Sequence, residues 1–495
     1  MPSSSTVVLI SFKQQFSNLH PVSSHFQLGI VYTRRSRPQF FSVAHPIFDP
    51  TTLQIQLVAA LPAPLVRRSP QVSVPSNRYG FPSSSSAMQE EIAALEANHT
   101  WDIEPYPLTI VPLGCKWVYS VKVRSDGSLD CYKARLVTLG NNQEYGVNYE
   151  ETFAHVAKMT IVRTILALAA SSDWPLHQMD VKKCFSSWGS KECIYMKPPP
   201  GFFPSLTSHV CKLRRSLYGL KQAPRAWFDQ FCTTLLQFSF RQNKYDTSLF
   251  LRKSDMGIVV LLVYVDDIVI TSSNSALLGQ LKTHLSESFH MKDLGSLLYF
   301  LGLEVHHSPS GISLNQDKYV SDLVTTAGLQ GATSIDTPME LSVKLRKEEG
   351  DLLADPSLYR KLVGSLVYLT MTRPNISFDV QQVSQFLQTP RHLHLATVHR
   401  IICYVQGTST HGLSFPTGNS TRLAAYNDAD WAGCVDTHHS ITGWCVFLGD
   451  ALISWKSKKQ DRVSKSSTEF EYRAMSFAWS EIIWLRGLLV ELDFS

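Results

Sequence analysis

From Ile258 to Ile270 the chain reads I-V-V-L-L-V-Y-V-D-D-I-V-I: eight apolar or aromatic residues, two adjacent aspartates, then three further apolar residues. A run this short and this rich in Val and Ile predicts two buried strands, because a membrane helix needs about twenty residues. The acid pair, Asp266 and Asp267, then falls at the tight turn of a hairpin, where Asn-Gly or Asp-Gly would cost less. Alternating stretches at Lys116–Val121 and Cys131–Leu136 flank Ser125-Asp126-Gly127, a second hairpin signal. Met88, Ile92 and Leu95 recur at helical spacing from about Ala87 onward. Apolar positions 161, 162, 165, 166 and 169 predict an amphipathic helix over Thr160–Ala170, with Thr160 as its cap. Leu176–Val181 reads as a strand carrying a third aspartate, Asp180, at its end. Pro224 opens a helix whose Trp227, Phe228, Phe231, Leu235 and Phe238 form a core stripe.

Composition narrows the class. With 495 residues, 44% apolar and 18% charged, the chain can bury sizeable cores in about two to four domains. Its net charge of +5 does not by itself mark a nucleic-acid binder, although the cations are bunched. Nine scattered cysteines without a Cys-x-x-Cys pair suit a reducing compartment. The apolar patch Val7–Ile10 is too brief for a signal-peptide core, so a soluble intracellular protein, or a piece of one, is expected. Residues 1–86, rich in Ser, Pro, Arg and Gln, read as a poorly ordered linker.

The charged positions then acquire a chemistry. Two carboxylates set against a dry sheet repel each other unless a cation neutralises them, and hard oxygen ligands suit Mg²⁺ or Mn²⁺. Lys116, Lys122, Arg124, Lys133 and Arg135 place five cations on the first small sheet, as an ordinary basic face or as a clamp on phosphates. Lys212–Arg225 interleaves Lys212, Arg214, Arg215, Lys221 and Arg225 with Tyr218 and Gly219, which fits a surface where a base stacks and backbone approaches closely.

With Asp180, the Leu217–Pro224 loop and Tyr264-Val265-Asp266-Asp267 in this order, the chain resembles reverse transcriptases of copia-type retrotransposons. Segments KWVYSVK (116–122), YKARLV (132–137), ETFAHVAKMTIVR (151–163), QMDVK (178–182), YMKPPPGF (195–202), SLYGLKQAPRAW (216–227), MKDLGSLLYFLGLEV (291–305), YRKLVGSLVYLTMTRPNISFDV (359–380) and DADWAG (428–433) carry the resemblance over most of residues 87–495. It implies an α+β right-hand polymerase of fingers and palm (87–300) and thumb or connection (301–415). A partial α/β ribonuclease H-like domain follows (420–495). Two Mg²⁺ (or Mn²⁺) ions would be the cofactors, and an RNA or DNA template-primer and deoxynucleoside triphosphates the partners. Asp180, Asp266 and Asp267 would be the catalytic metal ligands. Lys122 and Arg135 would hold the triphosphate, Tyr218 and Gly219 would line the nascent base pair, and Phe185 would exclude a ribose 2′-hydroxyl. Gly295 and Phe300–Gly302 would position the primer end. Asp428, ending a strand, and Glu471, on a helix over Ser466–Leu489, match two nuclease carboxylates. The other two would fall beyond Ser495, so no nuclease activity is expected. In an intact element the protein would reside in the cytoplasm, in a virus-like particle, or in the nucleus.

One stretch departs from the family pattern. After Asp180 the family reads D-V-K-N-A-F-L-H-G-D-L, whereas this chain reads D-V-K-K-C-F-S-S-W-G-S. The codons AAT-GCT-TTT-CTT-CAT-GGG-GAT-CTA, preceded by one extra A, become AAA-TGC-TTT-TCT-TCA-TGG-GGA-TCT, which encodes Lys183–Ser190 in full. A one-base insertion near Lys183 and a one-base loss near Lys191 account for it. Trp188 then stands where the family has glycine, a poor exchange wherever backbone passes close, and Ser186 replaces an apolar residue. The fold should persist while polymerisation is impaired. The readings are therefore a polymerase fragment or a silent relic that at most binds nucleic acid. A generic Mg²⁺ nuclease or phosphotransferase leaves the Lys212–Pro224 loop unexplained. The frameshift account predicts that relatives of this locus, once sequenced, carry N-A-F-L-H-G-D-L; an in-frame K-C-F-S-S-W-G-S in independent active copies refutes it.

Overall fold

A computed structural model describes residues 71–72, 84–107, 110–123, 129–181, 189–202, 208–289, 291–340 and 343–494. Along the chain, a two-residue strand β1 (Gln71–Val72) precedes helix α1 (Ser84–Ala97), strand β2 (Trp101–Pro105) and the long hairpin β3 (Cys115–Val123) and β4 (Leu129–Thr138). Helix α2 (Met159–Ser171), strands β5 (Leu176–Val181), β6 (Gly189–Met196) and β7 (His209–Arg215), and helix α3 (Ala223–Gln237) follow. Next come β8 (Arg241–Gln242), β9 (Leu249–Ser254), β10 (Gly257–Tyr264), β11 (Asp267–Ser272), α4 (Ser275–Phe289) and β12 (Met291–Ser296). The remainder comprises β13 (Tyr299–Phe300), β14 (Leu303–Ser308), β15 (Gly311–Asn315), helices α5 (Asp317–Ala327), α6 (Ser357–Leu369), α7 (Ser377–Ser384) and α8 (His392–Gly407), then β16 (Leu413–Pro416), β17 (Leu423–Ala429), β18 (Ile441–Leu448), β19 (Ala451–Lys459) and α9 (Ser467–Glu491).

This α+β chain is built on a six-stranded antiparallel sheet ordered β12-β5-β11-β10-β9-β8. The unbroken apolar run of β10 has a simple cause: both faces of the strand are buried. Val259, Leu261 and Val263 join α3 and α4 in one core, while Val260 and Leu262 join α2 and the C-terminal elements in another. Each such fully buried Val, Leu or Ile contributes about 1.5–3 kcal/mol. Helices α5–α8 hold a separate core around Leu362, Leu366 and Ile401. Two small sheets, β1-β3-β4 and β2-β7-β6, flank α1 and share a fourth core through Leu136, Met196 and Leu213.

Several local expectations shift. The linker reading of 1–86 holds no place for β1, yet Gln71 and Val72 pair with Lys122 and Val121 of β3. Helix α2 starts at Met159 after Lys158, with no side-chain cap. Thr160 is committed elsewhere, its hydroxyl standing 3.0 Å from Ser454 Oγ on β19.

That contact belongs to a broad seam. The core that contains Val260 and Leu262 also contains Val446, Ile453, Ile482 and Leu485, so β17–β19 and α9 pack onto the central sheet through α2. Ser454 Oγ donates to Glu481 Oε1 at 2.7 Å, and Trp484 Nε1 donates to the Tyr245 carbonyl at 2.9 Å. In the seam, Arg163 is almost wholly buried, its guanidinium 3.9 Å from the centre of the Trp455 ring. Burial pushes Arg163 down to about 9, against the pull of the Glu481 carboxylate. Leaving that guanidinium without its acid strands a buried charge. Glu481→Leu removes that counter-charge and the acceptor of the Ser454 hydroxyl, so it should lower stability by roughly 1–3 kcal/mol, and adding Arg163→Met should recover part of it. Urea unfolding midpoints check this; equal midpoints for the single and double variants would refute it.

Candidate active site

The hairpin of β10 and β11 closes with Tyr264 paired to Asp267, so its two turn residues are Val265 and Asp266. The acid pair thus straddles the turn instead of forming it: Asp266 lies in it, and Asp267 opens β11. Val265 has φ +56°, at the first central position where a II′ turn places glycine. A β-branched residue there stores strain of order 1–3 kcal/mol. Two bonds hold it: Trp227 Nε1 donates to the Val265 carbonyl at 2.8 Å, and the Val181 amide to the Asp266 carbonyl at 3.2 Å.

On the neighbouring strand, Asp180 stands directly opposite Asp267, because β5 and β11 pair antiparallel in that register. Directly opposed side chains on such a pair have Cβ atoms about 4.5–5.5 Å apart. On the other side of β5, Lys292 of β12 is the register partner of Asp180. Burial raises the Asp180 carboxyl and the Asp266 charge raises it further, while Lys292 and Lys133 pull it down. Burial also raises Asp267, with Asp266 and Asp180 adding to the rise; Gln178 Nε2, donating to Asp267 Oδ1 at 2.9 Å, opposes it. The cluster is therefore short of positive charge, and hard carboxylate donors fit a divalent cation. Among the described residues, no group of three His, Cys, Asp or Glu stands close enough to hold one.

The basic elements divide. Arg135 of β4 lies 5.0 Å from the centre of the Tyr218 ring. The Tyr218 carbonyl accepts from both the amide and hydroxyl of Thr138, at 2.8 and 2.9 Å. Gly219 has φ +94°, and a Cβ there would run into the Thr138 carbonyl, so only glycine fits this docking. Lys122 sits in β3 opposite Cys131, and its side chain lies outside the described residues, as do Arg124, Phe185 and the departing segment 183–188. Lys212 and Arg214 were expected in a loop. Both lie in β7 and pair with Glu104, at 3.1 Å, and Asp102. Gly295 has φ +80° beside a bulge in β12, and Leu301 and Gly302 form a positive-φ turn between β13 and β14.

At the C-terminal sheet, Asp428 lies near the end of β17 and Glu471 on α9. Burial raises Glu471 to about 7, with the Asp428 charge adding to it, and neither Glu471 oxygen has a hydrogen-bond partner. Asp430, which the motif reading passed over, joins them. Burial raises it and Asp428 adds to the rise, while the Ile441 and Gly433 amides bond its Oδ1 at 2.7 and 3.2 Å. Gln178 was also missed, though it shares a strand face with Asp180 two positions on. Trp227 had been read as core packing alone.

A family model described as reverse transcriptase (RNA-dependent DNA polymerase) matches residues 98–341. The chain is 46% identical over 409 residues to the retrovirus-related Pol polyprotein from transposon RE1 of Arabidopsis thaliana, covering 82% of this chain and 28% of that protein. It is 39% identical over 419 residues to that from transposon TNT 1-94 of Nicotiana tabacum, covering 82% of this chain and 31% of that one. A putative transposon Ty5-1 protein of Saccharomyces cerevisiae is 32% identical over 308 residues, 61% of this chain and 100% of its own length. The chain belongs to the reverse transcriptases of copia-type transposon Pol polyproteins. It spans under a third of the two plant polyproteins.

The electrostatics make a prediction. A carboxyl raised in the folded state binds its proton more tightly there than in the unfolded chain. Its contribution therefore favours the fold below the raised value and turns against it as pH rises through that value. Asp267→Asn should raise the unfolding midpoint at pH 7.5 without added metal, with the gap narrowing as pH falls into the ordinary carboxylate range. Thermal melts across this pH range check it; an unchanged or lower midpoint at pH 7.5 would refute it.

Proposed function

We propose that the chain is the RNA-directed DNA polymerase portion of a copia-type retrotransposon polyprotein. Residues 87–300 would supply fingers and palm, 301–415 the thumb or connection, and 420–495 a partial ribonuclease H-like domain. The observation that carries the reading is the register of Asp180 opposite Asp267, with Asp266 in the adjoining turn.

Asp180 and Asp266 would hold two Mg²⁺ (or Mn²⁺) ions and Asp267 would complete their set; the bound ions would activate the primer 3′-hydroxyl and neutralise the leaving pyrophosphate. Gln178 fixes the orientation of Asp267, and Lys292 tempers the charge on Asp180. Lys122 and Arg135 would receive the triphosphate, with the Tyr218 ring steadying Arg135. The docked Gly219 backbone would leave room for the nascent base pair, and Phe185 would select deoxynucleotides. Template-primer and deoxynucleoside triphosphates would be the partners. Among the described residues no helix is long and apolar enough to cross a membrane.

The altered segment at 183–190 favours a second reading, a catalytically silent relic that at most binds nucleic acid. Primer extension on poly-rA with Mg²⁺ separates the two. The chain should extend weakly, and Asp266→Asn should abolish extension. Returning residues 186–190 to Leu-His-Gly-Asp-Leu should raise the rate by about tenfold. No extension by either the natural or the restored chain, alongside salt-sensitive filter binding, would establish the relic.

A further inference from the structure

We propose that Tyr368 is a positioning residue that ties the α5–α8 bundle to the catalytic hairpin through the turn at Leu301–Gly302. Its functional consequence rests on the polymerase reading above. Tyr368 lies on α6, and its hydroxyl donates to the Leu301 carbonyl. That carbonyl belongs to an unusual turn: Phe300 pairs with Leu303, and the two residues between them have φ +51° (Leu301) and +77° (Gly302). A leucine in the left-handed region is strained and persists only where its surroundings fix it. A Cβ at Gly302 would collide with the Tyr368 hydroxyl, so the pin needs glycine at this position.

From the turn, contact continues in both directions. Phe300, 1% exposed, sets its ring 6.3 Å from that of Tyr264 at 77°. Tyr264 is the residue that closes the hairpin against Asp267. On the bundle side, Tyr319 of α5 meets Tyr368 edge-on at 4.9 Å, and its hydroxyl bonds the Ser365 carbonyl at 3.4 Å. A contiguous path of packed groups therefore runs Asp267, Tyr264, Phe300, Leu301, Tyr368, Tyr319. A displacement of α6 cannot leave the turn in place without breaking the bond to Leu301, so bundle position bears on the carboxylate geometry.

The test is hydrogen exchange on the full chain carrying Tyr368→Phe, which keeps the ring and removes the hydroxyl. Tyr319→Phe serves as the control for the bundle alone. Tyr368→Phe should speed exchange of amides 300–303 and 265–268 about fivefold, the loss expected of one hydrogen bond, and Tyr319→Phe should leave both segments unchanged. Unchanged exchange at 265–268 in Tyr368→Phe, or equal effects of the two variants there, overturns the proposal. In primer extension with the 186–190 segment restored, Tyr368→Phe should lower kcat and leave KM for the nucleotide unchanged. A fall in affinity with kcat intact also overturns it. Faster exchange in a chain that extends no primer would uphold the contact path while sinking the polymerase reading.

Discussion

Opposed carboxylates on adjacent strands, half-buried with too little positive charge around them, set the terms for the rest of the molecule. The β5–β11 pairing cannot relax to separate Asp180 from Asp267, because each strand is locked by neighbours on both edges and the sheet is packed on both faces. Gln178, Lys292 and Lys133 offset the repulsion only in part. The stability lost at this cluster is made up in the surrounding cores. This is the usual relation between a preorganised site and its scaffold.

The parts of this arrangement legible in the sequence are those with a local cause. A β-branched run interrupted by two acids announces a buried hairpin, and the strand ending at Asp180 is equally plain. The turn itself was not legible. Nothing local signals a valine at positive φ, since the turn is held by an indole from α3 on the Val265 carbonyl and an amide from β5 on that of Asp266. Lys292 was hidden for the same reason: its charge matters only because β12 pairs with β5. Gln178 could have been found, because period-two alternation puts it on the Asp180 face. Thr160 reads as a helix cap by every local rule, and tertiary contact with Ser454 claims it instead.

The C-terminal strands and α9 pack part of their buried surface against the central sheet and α2. Arg163, Trp455 and Glu481 mark that seam as chemically specific, because a buried guanidinium tolerates few neighbours. Asp428, Asp430 and Glu471 gather at the end of the same sheet, with Glu471 lacking any bonding partner. A carboxyl whose oxygens are buried without a bonding partner costs stability, which separates it from the surface acids on this chain.

The bulge in β12 between Asp293 and Gly295 has a consequence for how this edge strand can vary. Successive side chains along a strand face opposite ways, and here Lys292 sits beside Asp293. Sliding the edge by one residue removes the cation opposite Asp180: in one direction Asp293 takes its place and adds a fourth negative group, in the other Met291 does. Insertions and deletions on the N-terminal side of the bulge thus displace the cation opposite Asp180 and the buried Met291 together, whereas those on its far side leave that register alone.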